Sequence, residues 1–407
     1  MQRTFDVIVF GATGFTGRLV AEYLNTTYGI DGDVSWAMAG RNLDKLAEVR
    51  RLIGASDELP LIAADASDTA ALAALVRRAK VIITTVGPYQ RHGAELVTAC
   101  AQAGTDYVDL CGEPGWMAQM IPLLDAPARA SGARVVFSCG FDSIPFDLGV
   151  VFLQDEALHR FGAPLCRVHG RVRTMKGGMS GGTLASALAT IEQMGRDPVL
   201  ARTMADPFAL TPGFRGPPQP EDDAAAYDEL AQCWTAPFIM AAINTKNVHR
   251  TNALRGHPWG RDFVYDERMA TGDGAIGKQR AKALARAAWV QNALLGFGPT
   301  RTLLSRFALP KPGEGPSRQR RESGRYDVLF VGRTADGRVL RASVKGDRDP
   351  GYGSTSKMIA ETALCLVTDI GRDATGGGVW TPGAALGLAL VSRLQSRAGL
   401  TFSIKEG

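Results

Sequence analysis

Three glycines at a spacing of three, Gly11, Gly14 and Gly17, carry the most specific chemical signal in this 407-residue chain. They belong to the string Gly11-Ala12-Thr13-Gly14-Phe15-Thr16-Gly17, which follows directly on the apolar run F-D-V-I-V-F from Phe5 to Phe10. A strand ending in glycine turns tightly, and a second glycine lets backbone approach a phosphate closely. A helix opening at that point aims free N–H groups and the positive end of its dipole at the charge. All seven residues are therefore candidates for holding a dinucleotide. The spacing is G-x-x-G-x-x-G rather than G-x-G-x-x-G, so the weight falls on context: a strand before and an amphipathic helix after. An NAD site expects a carboxylate about 20 residues further on, to bind the ribose hydroxyl. The second apolar run, from Val34, offers none and ends on Gly40-Arg41. A guanidinium there suits a 2′-phosphate, so NADPH is expected over NADH. Asp65, ending the third apolar run, is expected near the adenine, with capping of the next helix as the alternative.

Three more loops follow apolar runs: Val86-Gly87-Pro88-Tyr89, Leu110-Cys111-Gly112-Glu113 and Ser138-Cys139-Gly140-Phe141-Asp142-Ser143-Ile144-Pro145. In a parallel sheet they gather at the end where ligands bind. Val86, Gly87, Pro88 and Cys139 are expected beside the cofactor. Tyr89 and Asp142 are the polar side chains best placed to reach a nicotinamide or its substrate, as catalytic groups or as hydrogen-bonding members of their own loops. Glu113 is expected at a helix N-terminus, where its charge suits the dipole. Short-chain dehydrogenases with a related glycine motif use a Tyr-x-x-x-Lys proton donor. None of the eight tyrosines has a lysine four residues later, which excludes that mechanism; Tyr352, with Lys357, comes nearest. Gly178-Met-Ser180-Gly-Gly182 fits the hydrolase elbow G-x-S-x-G. Only His249 and His257 follow it, with no oxyanion motif, so a glycine loop at a helix start is the better reading.

The elements that position these residues are read from periodicity. Apolar runs at 5–10, 34–39, 61–64, 81–86, 107–110 and 134–138 alternate with helical patterns, a helix capped by Asn42 among them. Such alternation means right-handed crossovers and a doubly wound parallel sheet over residues 1–150. Beyond Leu148 the rhythm changes. Cys166–Thr174 alternates with period two, as a sheet with one wet face does. A helix is expected from Thr183 to Met194, others near 236–246 and 277–296, a Pro/Gly/Arg loop over 309–325, and a hairpin around Asp336-Gly337. Helices over 354–370 and 382–398 are expected to return to the first domain, so that 351–407 completes it and 151–350 is an inserted α+β domain for substrate or dimerisation.

Composition narrows the function classes. At 45% hydrophobic, 21% charged and 7% aromatic, the chain is an ordinary globular one and long enough to bury a full core. No apolar run approaches the roughly 20 residues of a membrane span, and no signal peptide is expected. The balance of 46 basic to 41 acidic residues gives only +5. The densest basic run, Arg318-Gln319-Arg320-Arg321, lacks interleaved aromatics, so no nucleic-acid partner is expected. Six cysteines without a C-x-x-C pair fit reduced thiols in the cytoplasm, and no zinc site is expected. Apolar stretches near 236–246 and 288–297 suit core packing or peripheral contact with a membrane.

The strings G-A-T-G-F-T-G, A-G-R-N, V-G-P-Y, Y-V-D-L-C-G-E and C-G-F-D-S-I-P-F-D-L-G, in this order, resemble the saccharopine dehydrogenase-like oxidoreductases. Ser180-Gly-Gly-Thr183, Leu309–Pro316, Gly346–Gly353 and Gly377–Pro382 resemble its trans-acting enoyl reductase branch. The resemblance covers nearly the whole chain, least over 196–235. It implies a Rossmann-type NADP-binding domain, an inserted α+β domain and C-terminal helices packed back on the first. It also implies an unsaturated acyl substrate of lipid or polyketide type, with a polyketide synthase or acyl carrier as partner. Saccharopine-type chemistry instead reduces an imine or carbonyl of an amino-acid-like substrate and needs cations for its carboxylates. Arg167, Arg171 and Arg173 are candidates for that task, with a wet sheet face as their alternative. A non-catalytic NADP(H)-binding sensor is the reading from another class, kept open by the missing Tyr/Lys pair.

Overall fold

The computed structural model describes residues 3–30, 32–178, 188, 190–221, 223–296 and 315–405. Seven strands form the first sheet: β1 (Phe5–Phe10), β2 (Trp36–Gly40), β3 (Leu61–Ala63), β4 (Ala79–Thr84), β5 (Asp106–Val108), β6 (Arg134–Val136) and β13 (Gly378–Trp380). Their order is β13-β6-β5-β4-β1-β2-β3, and every pair is parallel. This is the doubly wound α/β arrangement expected. The strand order reverses between β1 and β4, and the crevice beyond their carboxyl ends is where such sheets take ligands.

Both faces of the sheet are covered, which is why its strands read as continuous apolar runs. Val7, Val9, Met38, Val81 and Ile83 bury one face under α1 (Phe15–Tyr28) and α2 (Leu43–Leu52). Ile8, Phe10, Ala37, Ala39 and Ile82 bury the other under α3 (Thr69–Val76), α5 (Ala94–Ala103) and α6 (Pro114–Ser131). Asn42 caps α2 as its sequence promised, accepting from the Lys45 N–H at 2.9 Å.

The second sheet has the order β14-β12-β11-β7-β10-β9-β8. It contains β7 (Leu165–Lys176), β8 (Ala226–Asp228), β9 (Cys233–Pro237), β10 (Val264–Gly272), β11 (Arg325–Thr334), β12 (Val339–Gly346) and β14 (Leu400–Lys405). Only β7 and β10 pair in parallel. The expected hairpin is β11–β12, closed around Asp336-Gly337. Its inner face packs on α7 (Ile144–Phe161). There Gly149 admits the Phe330 ring so closely that a Cβ would stand 2.4 Å from it.

Two expectations about the joins are corrected. Position 150 is no break, because it lies inside α7, which runs from the end of the first sheet onto the second. Residues 351–407 also do not stay together: β13 extends the first sheet beside β6, whereas β14 pairs with β12 in the second (Val344 opposite Phe402). Between them, Glu361 of the helix Thr355–Leu364 accepts from the hydroxyls of Tyr23 and Tyr28 at 2.6 and 2.7 Å. Arg393 reaches its other oxygen at 2.6 Å. This buried carboxylate fastens the C-terminal helices to α1.

The elbow serine Ser180, half of the helix expected over 183–194 and residues 309–314 of the expected loop lie outside the described residues. The basic run 318–321 forms a short helix, Arg318–Glu322, in which Arg318 pairs with Glu322 at 2.8 Å. Among the described residues no helix is long and apolar enough to cross a membrane.

Candidate functional site at the carboxyl end of the first sheet

The glycine loop has the shape a phosphate requires. Gly11 sits at φ +88°, a conformation costly for any side chain, and a Cβ there would lie 2.6 Å from Val86. A Cβ on Gly17 would lie 2.2 Å from the Gly11 carbonyl and 2.7 Å from the Thr85 hydroxyl, so α1 can cross this near to the strand end only with glycine there. The Gly14 N–H closes the turn onto the Gly11 carbonyl at 2.9 Å. Gly14 caps α1 without any side-chain hydrogen bond, and the first turn holds no acid. The helix therefore presents its N-terminal N–H groups and positive dipole end without a built-in counter-charge. Ala12 is buried, while Thr13 and Gly14 stand exposed and Phe15 and Thr16 are half-buried.

Beside the loop, Arg41 stands exposed at the end of β2. Asp65, after β3, accepts from the Ser67 N–H at 2.9 Å and the Ser67 hydroxyl at 2.7 Å. Those bonds, chiefly the backbone one, hold its carboxyl below the usual range, with a smaller contribution from Arg41. Asp65 thus braces its own turn, and Asp68 caps α3.

The loops after β4, β5 and β6 are tied together by buried polar groups. The Tyr89 hydroxyl donates to the Thr84 carbonyl at 3.2 Å and accepts from the Leu110 N–H at 3.0 Å. Its ring is buried, and burial pushes its ionisation well above the usual range. Of the two roles expected for Tyr89, this geometry matches the hydrogen-bonding one: its one proton goes to a carbonyl, and the side chain joins the ends of β4 and β5. Glu113 stands just before α6 but serves the short helix α4 (Tyr89–His92). It accepts from the Tyr89 and Gln90 N–H groups at 3.0 and 2.9 Å. Val86, Gly87 and Pro88 form the intervening turn, with a cis Gly87–Pro88 peptide. Cys139 is fully buried, its thiol directed to the Val136 carbonyl at 3.3 Å, so only its backbone faces the loop region.

Asp109 is the hub, and sequence reasoning passed it over. Its carboxyl accepts from the Cys111 and Ser138 N–H groups at 3.0 and 2.9 Å and from the Tyr107 hydroxyl at 3.0 Å. Burial outweighs these bonds and pushes it up to about 7. The visible signal was an acid inside the apolar string Y-V-D-L-C.

Asp142 differs from every carboxyl around it. It is only half-buried, in the turn between β6 and α7, and makes no hydrogen bond or ion pair among the described residues. Burial alone pushes it up to about 6. Its neighbour Ser143 adopts φ +147°, held by Asn247, which donates to the Ser143 hydroxyl at 2.5 Å, and by a longer 3.4 Å bond to Asn244. Both asparagines come from the helix Ala241–Leu254, and Asn244 also donates to the buried Glu267 at 2.8 Å. On the other side the Phe141 N–H donates to the Thr355 hydroxyl at 3.0 Å, and its ring meets Tyr326 at 4.8 Å. The second sheet and its helices thus grip the Asp142 turn from both flanks and leave the carboxyl itself unpartnered.

The arginines of β7 all have partners within the chain, and only Arg171 is buried. Arg171 is buried between Asp228 and Asp266 at 2.5 and 2.7 Å, Arg173 pairs with Asp327 at 2.8 Å, and Arg167 donates to His169 at 2.9 Å. The expected wet face is also wrong at its centre, where His169 and Arg171 are buried. The two histidines downstream of the elbow string are buried or stacked on aromatic rings: His249 on Phe208, and His257 on Phe214.

With this geometry in view, sequence comparison is decisive. A Mycobacterium tuberculosis protein provisionally named a trans-acting enoyl reductase is 41% identical over 98% of this chain and 97% of its own. The chain belongs to the trans-acting enoyl reductase family. A trans-acting enoyl reductase of Mycobacterium bovis is 38% identical over 97% of this chain and 96% of its own. Residues 7–136 match the saccharopine dehydrogenase NADP-binding domain, the stretch that contains the glycine loop, Arg41 and the Asp109 hub. Saccharopine dehydrogenase (L-Glu forming) from Saccharomyces cerevisiae shares the fold, with a TM-score of 0.52 at 15% identity, covering 99% of this chain and 100% of its own.

Proposed function

We propose that this family member is an NADPH-dependent reductase of α,β-unsaturated acyl groups of lipid or polyketide type. The observation that carries the reading is the meeting, at one end of one sheet, of a phosphate cradle and an unpartnered carboxyl. The residues fit the dinucleotide: Gly11 to Gly17 and the bare N-terminus of α1 would hold the diphosphate, and Arg41 the 2′-phosphate. Backbone of Val86, Gly87, Pro88 and Cys139 would line the nicotinamide side.

When bound, NADPH supplies a hydride to the β-carbon of the acyl group. The chain's own share is to orient the acyl carbonyl, exclude water and deliver a proton to the α-carbon. Asp142 is the candidate acid, because burial keeps part of it protonated near neutral pH. Ser143, Asn244 and Asn247 fix its turn, and Tyr89 and Asp109 fix the loops around it. We place the acyl chain between this sheet end and the elements of the second sheet, with a polyketide synthase or acyl carrier as the delivering partner.

The test is incubation of the protein with NADPH and unsaturated acyl thioesters of increasing length, following NADPH absorbance and product mass. Consumption matched by a thioester two hydrogens heavier is expected. Inertness towards every thioester, together with turnover of an amino-acid imine, would overturn the reading.

A further inference from the structure

Among the described residues, the helix Gly274–Gly296 buries side chains only in its first turns. Gly277 and Ala281 are buried against β9 and β10, and the Thr271 hydroxyl donates to the Gly277 carbonyl at 2.9 Å. Beyond Ala281 none of its described side chains is buried, and the helix projects for roughly 20 Å at 1.5 Å per residue. Trp289 is 72% exposed and Ile276 65%, with Leu284 and Val290 nearly half exposed.

The same helix carries Lys278, Arg280, Lys282 and Arg286 and no carboxylate, and the sequence offers none between Asp273 and Glu314. Lys278, Lys282, Arg286 and Trp289 follow one another at spacings of four, four and three, so they run along one side of the helix. Val290 lies next to Arg286 on this side, whereas Ile276 and Leu284 lie on other sides of the helix. Arg280, Lys282 and Arg286 form no ion pair among the described residues, and Lys278 lies 4.9 Å over the Trp234 ring.

An exposed indole and valine set among unopposed cations mark a contact surface. We infer that this helix docks the protein on an anionic lipid surface. Charge complementarity argues for that occupant: every formal charge on the helix is positive. A bilayer interface accepts an indole flanked by cations without needing a matching groove, whereas a folded partner would need a shaped counter-surface. The cations would rest among the headgroups with Trp289 at the boundary of the acyl region. This inference does not depend on the reductase reading, since lipid binding and NADPH binding are measured separately.

The experiment is flotation of the full chain with vesicles of phosphatidylglycerol or of phosphatidylcholine alone. The wild type is expected to float with the anionic vesicles at least tenfold more than with the neutral ones, and to be released by high salt. Trp289→Ser and the triple variant Lys278→Glu, Lys282→Glu, Arg286→Glu are each expected to lose at least tenfold, while keeping wild-type melting temperature and NADPH affinity. Those two controls show that the variants fold. Equal flotation with both lipids, or variants floating like wild type, would overturn the inference. So would a wild-type dimer that Trp289→Ser splits into monomers without affecting flotation, because a second copy would then be what covers the helix. Binding to an acidic carrier protein but to neither lipid would assign the face to a protein partner and overturn it equally.

Discussion

After β1 the chain turns on Gly11, at φ +88°, where no side chain has to be accommodated. After β6 it turns through Ser138 and Ser143, at φ +61° and +147°, where two side chains do. Each such serine costs on the order of 1–3 kcal/mol and persists only where its surroundings enforce it. Here they do: Asp109 and the Cys111 carbonyl hold Ser138, at 2.9 and 2.6 Å, and Asn247 with Asn244 holds Ser143. The first turn is shaped by its own residues and binds through backbone. The second is shaped by the rest of the molecule and holds a single carboxyl, Asp142, half-exposed between its two constraints. A phosphate cradle has to be narrow, whereas a proton-transfer group has to be aimed, and that difference is a reason for the two constructions.

The comparison can be broken first at the glycines. Gly17→Ala sets a Cβ against a backbone carbonyl that cannot swing away. Thermal unfolding should show a loss of about 1–3 kcal/mol. In fluorescence titration NADPH binding should weaken on the order of 100-fold, about 2.7 kcal/mol. Wild-type affinity in that variant would mean that the cradle is not where the cofactor binds.

The second turn should fail more gently and with a pH signature. Asp109→Asn places an amide donor where the carboxyl accepts three hydrogen bonds, a cost of roughly 1–3 kcal/mol in chemical denaturation. In the wild type the folded-state value near 7 lies above the ordinary 3.8. The associated stability is complete below about pH 4 and is lost as pH rises through about 7. The variant should show a shallower decline over that window. Some slope remains, because Asp142 and Asp147, each pushed up to about 6, have the same sign.

Smaller effects separate recognition from scaffolding. Arg41→Ala should raise the NADPH dissociation constant roughly 10-fold, about 1.4 kcal/mol, and leave that for NADH unchanged. Equal weakening of both would remove Arg41 from the 2′-phosphate. Tyr89→Phe should lower the melting temperature by the equivalent of about 1 kcal/mol and change kcat less than tenfold. A large fall in kcat at unchanged melting temperature would return Tyr89 to the chemistry.

Much of the first turn's surroundings was legible because its signals are local. β1, the glycine spacing, Asn42 as a cap and the missing acid after β2 each depend on neighbours in sequence. The three-residue strand β13 and the terminal β14 were not legible, since each is defined by the partner it pairs with, β6 and β12, more than 200 and about 60 residues away. Asp142 stood out as a polar residue in an apolar string, yet its lack of partners depends on Asn244, Asn247 and Thr355 binding everything around it. The choice between the two roles of Tyr89 was not legible for the same reason, because the Leu110 N–H that its hydroxyl accepts comes from another strand end. Arg171 resembled a surface cation until Asp228 and Asp266 were folded over it.

The most direct test of the contrast is the pH dependence of acyl reduction in wild type and Asp142→Asn, at saturating NADPH and unsaturated thioester. If Asp142 delivers the proton, wild-type kcat falls as pH rises through about 6. The variant would then be slower by on the order of 100-fold or more and flat over the same range. A variant with the wild-type rate and the wild-type pH profile would contradict the account.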